Sequence, residues 1–145
     1  MIWRASVRSR EIWDAQLTVL SAVSLSGEEV SFPADGILIG GIGEGQLPEC
    51  AVWRKLIDTD LGSLSRTLIL AEDPEATHPI LLASAPRSLH SQVYITAMAQ
   101  EWAEALSPGP FAILWDGPRF VHGVVGKPTE DAWENFADAA RRFSR

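Results

Sequence analysis

The chain has little of what most small catalytic and metal sites are built from. One cysteine, Cys50, stands among 145 residues, so no disulfide can close within the chain and a thiolate-rich zinc site cannot be assembled. A reducing, cytoplasmic setting follows as the expectation. Only three histidines are present, His78, His90 and His122, and none pairs with another at a metal-ligand spacing such as H-x-x-x-H. No apolar run approaches the ~20 residues that a bilayer-spanning helix requires. The opening stretch, MIWRASVRSREIW, scatters charge where a signal peptide would carry an apolar core. Basic residues are also the minority, 12 Lys and Arg against 19 Asp and Glu, for a formal net charge of −7. Such a field repels phosphate backbones, and the arginines gather into no patch that would offset it, so neither nucleic acid nor membrane is the expected partner. The G-x-S-x-G elbow of a hydrolase is missing, as is a phosphate loop ending in Gly-Lys-Ser or Gly-Lys-Thr.

What is present describes a globular protein. Apolar residues make up 46% and charged residues 21%, a balance that can bury a core, and the length suits one domain over residues 1–145. Six tryptophans supply large surfaces for a core or an interface.

The clearest architecture lies in residues 110–143. An apolar run over 111–115, a turn at Asp116-Gly117-Pro118 and a second run over 120–125 predict a hairpin. A helix over 129–143 follows, with Trp133, Phe136, Ala137, Ala140 and Phe143 on one face. Upstream, alternation over 2–7 and 13–25 predicts strands, with a helix as the alternative over 12–23. Ser26-Gly27-Glu28-Glu29 predicts a turn into a short return strand over 30–32. Residues 36–41 and 67–71 read as buried strands, and Pro48 opens a predicted helix over about 48–58. Residues 72–75 read as an acidic turn, and 79–83 as either a further strand or the continuation of a bent pair. Ile95, Met98, Ala99, Trp102 and Leu106 fit the stripe of a long helix over about 86–106. The fold class expected is α+β, with α/β as the alternative: an N-terminal antiparallel meander continues into a mixed sheet carrying about three helices and a C-terminal hairpin–helix unit.

Three features carry the functional candidates. The first is Gly41-x-Gly43-x-Gly45 between a strand and a helix, the outline of a phosphate cradle, with Glu72 where a ribose-binding acid would stand. The G-x-G-x-x-G pattern is incomplete, since Gln46 or Pro48 falls at the third glycine, and Glu44 adds negative charge. The second is Cys50 at the start of the predicted helix, where a helix N-terminus favours a thiolate. The third is the hairpin turn, where Trp115, Asp116 and Arg119 combine an aromatic with charge in the manner of an interface anchor. Trp53, of ambiguous helical phase, joins this set.

The order strand, cysteine, helix, then helix, Pro110, hairpin and last helix resembles the thioredoxin topology over about the last two-thirds of the chain. The resemblance implies a chaperone or redox role. It lacks the second cysteine, because Leu47 stands three before Cys50 and Trp53 three after, so dithiol exchange cannot run within the chain.

The expected function is a non-catalytic protein-binding domain, such as an acidic immunity or inhibitor protein or an adaptor. Its partner would be another protein, basic by charge complementarity, and a homo-oligomer is compatible with the same features. No cofactor or metal is expected. The alternatives are a nucleotide- or small-ligand-binding enzyme domain built on the Gly41–Gly45 turn, and a thioredoxin-like protein without a dithiol.

Overall fold

A computed structural model describes residues 21–31, 35–40, 46–47, 50–59, 61, 66–98, 111–116, 119–125 and 130–143. Its first two strands, β1 (Ser21–Ser24) and β2 (Glu29–Ser31), form an antiparallel hairpin. Gly27 takes φ 95° at the turn, a conformation that suits glycine, and the Ser24 hydroxyl accepts a bond from the Glu28 amide at 3.0 Å. This is the turn expected at Ser26-Gly27-Glu28-Glu29. The predicted strand over 2–7 and the earlier part of the one over 13–25 lie outside the described residues.

Three parallel strands form the middle of the sheet: β3 (Asp35–Gly40), β4 (Thr67–Ala71) and β5 (Val93–Ala97). Helix α1 (Ala51–Asp58) lies between β3 and β4 in the chain, and α2 (Pro74–Ser84) between β4 and β5. An antiparallel pair, β6 (Phe111–Asp116) and β7 (Arg119–Val125), extends the sheet on the free side of β3, and α3 (Glu130–Phe143) closes the chain. The strand order is β2-β1-β5-β4-β3-β6-β7. A mixed sheet carrying three described helices is the α+β architecture that the sequence predicts.

Register puts the apolar residues on shared faces. Ile39 pairs with Ile69 and Ala112, Ile69 with Ile95, and Ile37 with Leu114, so period-two alternation aligns one buried face across four strands. Trp53 and Leu56 from α1, Leu81 from α2, and Ala132, Phe136, Ala137 and Ala140 from α3 join those residues in one cluster. The central strands are buried on their other face as well, through Leu38, Leu68, Leu70 and Tyr94, which is why they read as continuous apolar runs. At the start of β3, Gly36 takes φ 141°, and a Cβ there would collide with the Arg66 carbonyl that binds the Ile37 amide at 2.8 Å.

The predicted helix over 86–106 is corrected by the structure. A short 3-10 turn, Arg87–Leu89, leads instead into β5, and Met98 continues the sheet by donating to the Ala71 carbonyl at 2.8 Å; residues 99–106 lie outside the described set. Val93, Tyr94 and Ile95 are all buried, and β-branched and aromatic side chains favour a pleated, doubly covered strand over a helix. The helix described before β5 is α2, over residues that the sequence pattern predicts as an acidic turn followed by a strand. Asp73 caps it by accepting from the Ala76 amide at 3.3 Å, and Pro74 opens its first turn. Pro79 sits inside α2 and removes the amide that would bond the Glu75 carbonyl.

Candidate functional site

Among the described strands, β3 divides the sheet. From β3 the chain passes through α1 to β4 and through α2 to β5 on one side, and β6 and β7 then add on the other. In open α/β sheets, ligands bind at the carboxyl ends of strands at such a point. The carboxyl end of β3 is Gly40, and the chain leaves it toward the start of α1. Gly41, Gly43 and Gly45 fall in this connection and outside the described residues.

Cys50 is the N-cap residue of α1, extended at φ −65° and ψ 128°. Its amide donates to the Leu47 carbonyl at 3.1 Å, and its carbonyl accepts the Arg54 amide at 2.9 Å, the first bond of the helix. Its thiol is free and half-buried, packed at the margin of the core. The Cys50 side chain makes no cap bond to this end of the helix, and the first turn holds no acidic residue. The first amides of α1 therefore have no side-chain acceptor from the cap residue itself.

Trp53, in the first turn, is wholly buried. Its indole Nε1 donates to the Ser84 hydroxyl at 2.9 Å, and that hydroxyl donates to the Ile80 carbonyl at 3.0 Å. The start of α1 is thus tied to the last turn of α2. This corrects the expectation that Trp53 belongs to a partner-binding surface: the indole fills the core, and its polar atom is satisfied inside the protein. The spacing from Trp53 to Leu56, buried neighbours one turn apart, is the signal that identifies this inward face. Trp53 also occupies the third position after the thiol, so a packed indole stands where a second cysteine would be needed for exchange within the chain.

At its other end α1 is tied to α3. Lys55 Nζ lies 2.9 Å from Glu134 Oε1, and this bond together with the lysine charge holds the Glu134 carboxyl below its ordinary range.

The hairpin tip is placed by register. Asp116 pairs with Arg119 and Trp115 with Phe120, after an irregularity at Leu114/Trp115. Asp116 also pairs with Asp35, and Phe111 with Gly40. The tip therefore lies at the edge of the sheet where β3 begins, opposite the edge where β3 ends. Asp116 and Arg119 are brought opposite each other at this tip, with Trp115 one position away, at the end of β3 opposite Gly40.

Glu72 is exposed, directly after β4. His78 lies on α2, the His90 ring nitrogen Nε2 sits 3.1 Å from the Ala85 carbonyl, and His122 on β7 pairs with Leu114 on β6. Among the described residues, no three His, Cys, Asp or Glu side chains gather as metal ligands. Nor is any described helix long and apolar enough to cross a membrane.

No family model matches the chain, and no curated protein matches it. Solved structures do. A protein from Aquifex aeolicus, provisionally named an electron transfer protein, aligns over 86% of this chain and 92% of its own at a TM-score of 0.53 and 11% identity. A secreted Mycobacterium tuberculosis disulfide oxidoreductase, homologous to Escherichia coli DsbE, aligns over 90% of this chain and 99% of its own at 0.50 and 12% identity. The fold is thioredoxin-like. At these identities the likeness establishes the fold alone.

Proposed function

We propose that this is a thioredoxin-fold protein that engages a protein partner through one thiol, Cys50, without an internal dithiol. The observation that carries the reading is the start of α1, where a free, half-buried thiol is the N-cap residue, makes no side-chain cap bond, and is followed three residues on by the buried Trp53 in place of a second thiol. The disulfide oxidoreductase among the structurally similar proteins supports thiol chemistry on this scaffold. Attack by the Cys50 thiolate on a partner's disulfide would form one mixed disulfide and release one partner thiolate. With a single cysteine in the chain, that mixed disulfide persists until an external thiol resolves it. The net charge of −7 favours a basic partner, and a lone cysteine suits a reducing, cytoplasmic setting.

The test follows the thiol in the native protein. Oxidised glutathione is expected to add once to the folded chain, to be removed by dithiothreitol, and to leave Cys50→Ser unmodified. A thiol that reacts only after denaturant is added would overturn the reading.

A second reading is favoured by the register of the hairpin tip, which pairs Asp116 with Arg119 one position from Trp115. Here the chain is a non-catalytic binding module of the immunity, inhibitor or adaptor kind, docking through that tip. A photo-crosslinker at position 118 should then trap a partner from the wild type, and Trp115→Ala with Arg119→Glu should abolish the trapping while Cys50→Ser leaves it intact. The opposite pattern, loss with Cys50→Ser alone, counts against the tip.

A further inference from the structure

We draw no further inference here: the strongest candidate, the Cys50 thiol at the N-terminus of α1, belongs to the site already described, and no second group among the described residues points to a ligand for it.

Discussion

Two helices follow neighbouring parallel strands, and they begin in opposite ways. α2 starts with Asp73, whose carboxylate accepts the Ala76 amide, then Pro74 and Glu75. A cap, a residue with no amide to satisfy, and a negative charge at the positive end of the helix dipole are each stabilising. α1 starts with Cys50, which makes no side-chain cap bond, and has no acid in its first turn. Serine, aspartate or asparagine at position 50 would satisfy a helix amide that the thiol leaves to other partners. Where one helix follows the local rules and its neighbour departs from them, the departure is the place to look for function. What holds the start of α1 is tertiary: the Trp53 indole, buried and bonded to Ser84 of α2.

The sharpest way to break this comparison is to remove that anchor. Trp53→Ala should cost about 3–5 kcal/mol, as truncation of a buried tryptophan does, read from the urea midpoint at unchanged slope. Trp53→Phe retains most of the apolar volume and loses the bond to Ser84, for about 1 kcal/mol. A loss below about 1 kcal/mol for the alanine variant would mean that α1 is fixed by something other than its indole.

Exchanging the caps has a smaller effect and probes the contrast directly. Asp73→Ala should destabilise by about 1 kcal/mol, whereas Cys50→Ser should stabilise by about 0.5–1 kcal/mol, because serine is a preferred N-cap of nearly the same shape. Equilibrium denaturation of the two variants together reads both signs. A stability gain with serine would mean that folding is not what keeps a thiol at position 50. A loss would mean that the thiol acts there mainly as packing, and the contrast between the two helix starts would lose its functional meaning.

How much of this was legible in the sequence varied by element. The apolar run over 67–71 predicts β4 with its structural bounds, and the pattern over 111–143 predicts the hairpin and the helix after it to within a residue or two. Turn residues bound the hairpin, and in α3 the buried Phe136, Ala137 and Ala140 follow the helical period. The region between failed for a physical reason. β5 is buried on both faces, so Val93, Tyr94 and Ile95 form an unbroken apolar run without the alternation that marks a half-exposed strand. The spacing of Ile95 and Met98 then fitted a helix by coincidence. Pro79 hides α2 from the periodicity by interrupting it, although Asp73-Pro74, a cap followed by a first-turn proline, is a signal for its start. At the site, the missing second thiol was legible from Trp53. The burial of Trp53 was not, because its acceptor, Ser84, lies 31 residues away at the end of α2.

The smallest expected effect concerns the other end of α1. Lys55 in its last turn bonds Glu134 of α3 at 2.9 Å, with the glutamate side chain 55% exposed, and an exposed pair of this kind adds little. Its signature is pH dependence. The folded-state pKa of Glu134 is depressed, by the Lys55 hydrogen bond first and the Lys55 charge second. The pair's contribution is therefore complete above the unfolded carboxylate value of roughly 4.3 and fades as pH falls through the lower folded value. Glu134→Gln should be marginally less stable than wild type at neutral pH. The gap should close on acidification below the ordinary carboxylate range, and added salt should narrow it at neutral pH. A gap that stays constant from neutral to acid pH would mean that Glu134 contributes by packing and not by charge. A gap approaching that of Trp53→Ala would place the anchor of α1 at its far end, and the start of the helix would then have no special claim.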